Sequence, residues 1–169
     1  MRYFSTNGRS AVVGFREALL QGQPEDGGLY FPTEIPNLAE LAISPWLEGG
    51  EAETAFSIMR PYAGGEIPDA ALQAICEDAI DFPFPLVEIT PGIFALELFR
   101  GPTLAFKDVG ARFMSRCLGH FSSSIGKRAV VIVATSGDTG GAVAHGFAGV
   151  EGVSVVILFP KGRVSRVQE

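Results

Sequence analysis

Cysteine is scarce. The 169 residues hold two, Cys76 and Cys117, in unrelated segments. Without a CxxC pair, neither a disulfide framework nor a thiolate metal site is expected, and both read as reduced core thiols. Histidine is as rare: His120 and His145 complete no zinc-type ligand set, so no metal is expected. Basic residues number 13 against 19 acidic ones, for a net charge of -6. That balance argues against nucleic acid, which needs a basic face. It leaves room for a small anionic substrate, because local charge governs a site. No apolar run approaches the ~18 residues of a membrane span. The longest, Ala129–Ala134 and Val153–Phe159, have the length of buried strands. Met1 is followed by Arg-Tyr-Phe-Ser-Thr with no apolar signal core, so a cytoplasmic protein is expected. GxGxxG, Walker A and G-x-S-x-G patterns are missing, which argues against the dinucleotide, P-loop and serine-hydrolase classes.

What is present describes a folded chain. The apolar fraction is 47%, with 13 phenylalanines that need a core. The length suits one domain, or a small domain plus part of another. Ser10 to Gln21 predicts a helix capped by Ser10, with Val12, Phe15, Ala18 and Leu19 on one face and Gly22 at its end. Asp26-Gly-Gly-Leu-Tyr-Phe-Pro32 reads as a turn feeding a short apolar segment whose aromatics need burial. Leu38 to Ala63 predicts one or two helices, broken at Pro45 and again at Pro61, and closed by Gly64-Gly65. A further helix opens at Glu66-Ile-Pro-Asp69 and runs to about Ile80, burying Leu72, Ile75, Cys76 and Ala79. Asp81-Phe-Pro-Phe-Pro85 stops it.

Past Pro85 the pattern changes. Leu86–Ile89 and Ile93–Leu98 predict two short strands around a Thr-Pro-Gly turn. A helix over Asp108–His120 follows. Ala129–Ala134 is β-branched without alternation, as in a parallel strand covered on both faces. A helix over Gly141–Phe147 and a strand over Ser154–Phe159 complete a βαβ unit. The fold class is therefore α/β: a helical region over 1–85, then the start of a parallel-sheet domain over 86–169. Two strands do not close such a sheet. The rest is expected from more chain or from another chain, and the open edge predicts self-association.

Two stretches carry chemistry. In Phe99-Arg-Gly-Pro-Thr-Leu-Ala-Phe-Lys-Asp108, Lys107 sits where an apolar loop becomes a helix. It reads either as a solvated charge or as a desolvated, nucleophilic amine of the kind that forms Schiff bases. In Ala134-Thr-Ser-Gly-Asp-Thr-Gly-Gly141, a strand end turns through glycine into a helix N-terminus. Such a turn offers N–H groups and a positive dipole to an anion, and Thr135, Ser136 and Thr139 add hydroxyls. The same residues also serve as a capped turn, with Ser136 or Asp138 as the cap.

The run Leu96-Glu-Leu-Phe-Arg-Gly-Pro-Thr-Leu-Ala-Phe-Lys-Asp108 resembles the cofactor-lysine signature of threonine synthases. Thr135-Ser-Gly-Asp-Thr-Gly140, Asp26–Pro32, Gly65-Glu-Ile-Pro68 and Val156-Ile-Leu-Phe-Pro-Lys-Gly-Arg163 resemble that family in the same order. The resemblance implies the tryptophan-synthase-β-like fold, pyridoxal 5'-phosphate as cofactor, and conversion of O-phospho-L-homoserine and water to L-threonine and phosphate. It implies that Lys107 holds the cofactor and moves protons, and that Phe106 packs beside its ring. Asp138 would lie near the cofactor's 3-hydroxyl. Thr135, Ser136, Gly137 and Thr139 would take the substrate's carboxylate or phosphate, and Lys161 and Arg163 would supply cations for the leaving phosphate. Three features depart from the family pattern. Arg100 stands in place of histidine, and Arg166 in place of proline. The family's chains also continue well beyond residue 169, with a glycine-rich loop for the cofactor phosphate and the group facing the pyridine nitrogen. A serine or threonine dehydratase is the alternative within the same chemistry. A non-catalytic interaction module with an open sheet edge is the alternative outside it.

Overall fold

The computed structural model describes residues 1–37, 50–63, 65–126 and 128–166. The chain divides into two compact units, one ending at Asp78 and one starting at Ala79.

In the first unit, β1 (Tyr3–Ser5) pairs antiparallel with β2 (Tyr30–Pro32), Tyr3 opposite Pro32. Between them lies α1 (Phe15–Gln21), which begins five residues later than the spacing predicts. Ser10 is not its cap, because Ser10 is already engaged. Its N–H donates to Asp26 at 2.9 Å, and its hydroxyl accepts the Asp26 N–H at 3.2 Å. The cap comes instead from Glu66, whose carboxylate accepts the N–H groups of Phe15 at 2.7 Å and Arg16 at 3.1 Å. A carboxylate there satisfies orphan donors and matches the helix dipole. At the other end Gly22, with φ 71°, closes α1 as predicted.

α2 (Glu51–Ala63) keeps Pro61 inside its last turns, so no break occurs there. The expected helix over 38–49, its break at Pro45, and the closure at Gly64 lie outside the described residues. α3 (Asp69–Ala79) follows Pro68 directly and buries Leu72, Ile75, Cys76 and Ala79, the face its spacing predicts. Burial, helped by Glu77, pushes the Cys76 thiol up to about 11, so it stays protonated. The aromatic segment behaves otherwise: Phe31 is exposed and meets Phe4 edge-on at 6.0 Å. A two-stranded ribbon has too little cover to bury it.

In the second unit, β3 (Leu86–Thr90) and β4 (Ile93–Leu96) form an antiparallel hairpin; β4 ends two residues short of the predicted Leu98, which instead opens a 3-10 turn over Leu98–Arg100. α4 (Lys107–Ile125) starts one residue before the predicted point and runs five further. β5 (Ala129–Ala134), α5 (Asp138–Phe147) and β6 (Val153–Leu158) form the βαβ unit, with β5 and β6 parallel and in register from Ala129↔Val153 to Ala134↔Leu158. β5 is not covered on both faces. Val130 is 60% and Ile132 67% exposed, while their neighbours are half-buried. Both α4 and α5 pack on the same side, since they also pack on each other.

That helix pair forms the second core: Ala111, Cys117, Leu118 and Phe121 face Ala142, Val143 and Phe147. The Ser115 hydroxyl donates to the Gly146 carbonyl at 2.6 Å, and Arg116 reaches the same oxygen. Arg112, 6% exposed, donates to the Ala79 carbonyl at 2.8 Å and pairs with Asp81 at 2.8 Å, which satisfies a buried charge.

Asp26 organises the first unit's turns. Its carboxylate accepts the Ser5 hydroxyl at 2.6 Å and the N–H groups of Arg9, Ser10 and Gly28 at 2.9 to 3.0 Å. The Ser5 bond is the largest cause, and the set holds Asp26 well below the usual carboxylate range, against an opposing cost of burial. A depressed folded-state value gives stability that is present above the unfolded value and is lost as pH falls through the folded one. Asp26→Asn should therefore lower stability at neutral pH and flatten the loss below about pH 4. Acid titration followed by circular dichroism checks both.

Candidate active site

The site lies where two helix N-termini converge in the second unit. Lys107 is the first residue of α4, and Asp138 the first of α5. Lys107, Ala134, Thr135, Ser136, Gly137, Asp138 and Thr139 together line an open pocket of about 310 Å³. That is the lower end of the ~300–1,000 Å³ typical of small-molecule sites. Each N-terminus contributes a partial positive charge, so the pocket favours an anion before any side chain is counted.

Lys107 is half-buried, and its Nζ lies 4.4 Å from the Phe106 ring centroid. The apolar run ahead of it is not a dry wall. Ala105 is buried, but Leu104 is 75% and Phe106 61% exposed. Leu104 also has φ 59°, and two backbone bonds shape the turn: Leu104 N–H to Gly101 O and Asp108 N–H to Ala105 O, each 3.0 Å.

The second half of the pocket is a self-bonded loop. The Thr135 hydroxyl oxygen accepts the N–H groups of Gly137 at 3.0 Å and Gly140 at 3.1 Å. Those two amides are thereby taken up inside the loop. Neither Ser136 nor Asp138 is the helix cap: Gly137 occupies that position, and no side chain bonds to the turn from there. Ser136 and Thr139 bring hydroxyls to the lining. Gly140 packs against Thr135 so closely that a Cβ would lie 2.5 Å from the Thr135 methyl carbon.

The structure thus brings Lys107, Thr135, Ser136, Gly137, Asp138 and Thr139 together. Phe106 touches the lysine from outside the lining. Lys161 and Arg163 are exposed on the turn after β6 and do not line the pocket. Arg100 is exposed and paired with Glu97, with its Nε donating at 2.8 Å. Sequence reasoning assigned no part to Gly101 or Thr103, and none to Asp108 beyond opening a helix. The fully buried Asp108 accepts the Thr103 N–H at 2.9 Å and its hydroxyl at 2.6 Å. A Cβ on Gly101 would lie 2.6 Å from the Asp108 carboxylate. The available signal was a Thr and an Asp five residues apart across a helix start, a side-chain-to-backbone pairing typical of such ends.

Known proteins resemble the chain over nearly its whole length. A family model of the threonine synthase N terminus matches residues 2–80. Threonine synthase of Haemophilus influenzae is 47% identical over 157 residues, which cover 93% of this chain and 36% of that protein. Threonine synthase of Escherichia coli is 38% identical over 169 residues, covering 100% of this chain and 39% of that protein. The crystal structure of PLP-bound threonine synthase from Brucella melitensis matches with a TM-score of 0.91 at 43% identity, over 99% of this chain and 37% of that one.

The chain corresponds to the N-terminal portion of threonine synthases.

It spans less than two fifths of the length of these relatives. The α/β class with a parallel β5–β6 pair holds, and it is the fold of threonine synthases over this part of their chains. Among the described residues, no helix is long and apolar enough to cross a membrane.

The close contacts around the pocket give a prediction. Gly101→Ala drives a Cβ into Asp108, and into Phe82 at 3.0 Å; Gly140→Ala drives one into Thr135. Neither glycine needs positive φ, so the cost is steric, about 1–3 kcal/mol for each as for other overpacked sites. Urea unfolding should show both losses. An alanine at exposed Gly110, which meets nothing within 4 Å, should show none.

Proposed function

We propose that the protein carrying this chain is a pyridoxal-phosphate enzyme that converts O-phospho-L-homoserine and water to L-threonine and phosphate. One observation carries the reading: a half-buried lysine amine shares a pocket with a hydroxyl-rich loop at a helix N-terminus. An amine there suits the cofactor's aldehyde, and two helix N-termini suit an anionic amino acid. The family supports it, as does a structural relative with PLP bound.

The cofactor, when bound, supplies an electron sink that acidifies neighbouring C–H bonds. The remaining work falls to this chain. Lys107 would hold the cofactor through its Nζ, and the same amine would serve as general base and acid. Phe106 packs beside it. Ser136 and Thr139 donate hydrogen bonds to the substrate's carboxylate or phosphate. Thr135 already accepts two N–H groups on its oxygen and donates a long O–H bond of 3.4 Å to the Gly137 carbonyl, so that O–H would have to turn away from the loop to meet the substrate. Gly137 makes the bend, and Asp138 would be the residue for the cofactor's 3-hydroxyl. Lys161 and Arg163 serve as cations for the departing phosphate, and their exposed turn must approach the pocket to do so. A cytoplasmic setting fits two buried cysteines that form no disulfide.

A second reading, an interaction module that associates through its sheet, draws on the exposed apolar face of β5 and β6, where Val130, Ile132, Val156 and Leu158 lie open. One experiment separates the two. Borohydride reduction of the purified full-length protein with pyridoxal phosphate should label Lys107 selectively in peptide mass maps. Lys107→Ala should lose that label. Scatter over surface lysines would favour the interaction module.

A further inference from the structure

Asp108 has no part in the chemistry above, yet it is the most deeply buried acidic residue at the site, with 0% exposure. Its two oxygens are both used on one residue, Thr103: Oδ2 accepts the N–H and Oδ1 the hydroxyl. Gly101 presses on the same carboxylate with no room for a side chain. Inside the loop so closed, Leu104 holds a left-handed backbone at φ 59° while its side chain stays 75% exposed. That conformation is costly for leucine, and burial of its side chain offers nothing in return. It persists only where its surroundings impose it, and here the surroundings are the Asp108–Thr103 clasp.

The next residues after Leu104 are Ala105, Phe106 and Lys107. The clasp therefore joins the residue just after the lysine to a point four residues before it. Without it the loop can relax to ordinary backbone angles, and the start of α4 can fray by a turn. Either change moves Nζ relative to the Thr135–Thr139 loop. We propose that Asp108, clasped to the Thr103 hydroxyl, is the positioning residue for Lys107: it fixes where the amine stands in the pocket without touching the reacting atoms. The inference rests on reading Lys107 as the amine that holds the cofactor.

The test uses the full-length protein, freed of cofactor and then mixed with pyridoxal phosphate. Attachment at Lys107 is timed by visible absorbance and located by borohydride trapping and peptide mapping. Circular dichroism gives the folded fraction. Thr103→Val removes the hydroxyl at nearly constant shape and leaves the N–H bond. Thr103→Ser keeps the hydroxyl. Attachment to Thr103→Val should be about tenfold slower at an unchanged folded fraction, since small displacements of a reacting group cost at least that much. Thr103→Ser should stay within about twofold of wild type, because it keeps the bond. Three results would overturn the inference: valine as fast as wild type, serine as slow as valine, or slowing that only tracks unfolded protein. Should the valine variant not fold, Asp108→Asn keeps the size and an acceptor for the N–H. It should show intermediate slowing, and wild-type speed there would be equally fatal. Wild-type protein that does not react at Lys107 fails differently: it removes the cofactor reading, and this inference with it.

Discussion

The packing of α4 on α5 is the constraint on which the rest depends. Both helices lie on one face of β5 and β6, and their contact leaves little slack. A Cβ on Gly146 would come within 3.2 Å of the α4 backbone, and the Ser115 hydroxyl reaches across to the Gly146 carbonyl. That contact sets the first turns of α4 against the last turn of α5, and Lys107 at the start of α4 shares a pocket with the loop that leads into α5. Lys107 and the Thr135–Thr139 loop meet for that reason, although about 30 residues of chain separate them. Two N-terminal dipoles and one amine then share a small volume, and the electrostatic preference of the pocket follows from the backbone alone.

Much of this was legible in the sequence. The inner face of α3 was visible in the spacing of Leu72, Ile75, Cys76 and Ala79, because a buried face repeats with the helix period. The parallel pair was visible in two β-branched runs flanking a helix. The errors have physical causes. Ser10 looks like a cap locally, but Asp26 claims it and Glu66, some 50 residues on, caps α1 in its place. Long-range carboxylates leave no local signature. Full burial of β5 was inferred from composition, which reports what a strand can tolerate and not what covers it.

The pocket residues were found by type and place, since a lysine at a helix start and a hydroxyl-rich turn are local features. What holds them was harder to see. Thr135 looks like a ligand but spends its acceptor capacity on the loop's own amides. Asp108 looks like the first acid of a helix but is sealed against Thr103. In both cases the side chain faces inward, a direction that spacing does not encode. Lys161 and Arg163 sit outside the pocket lining, because the turn after β6 carries them away from it.

The reading stands or falls on stoichiometry. With pyridoxal phosphate and O-phospho-L-homoserine, the full-length protein should release phosphate and L-threonine in equal amounts, with water as the only other reactant. Both products are measured in one reaction by phosphate assay and amino-acid analysis. Equal yields would establish loss of phosphate from the γ carbon balanced by addition of water at the β carbon. Phosphate or ammonia accompanied by 2-oxobutyrate, with no threonine, would place the protein among the dehydratases and contradict the account.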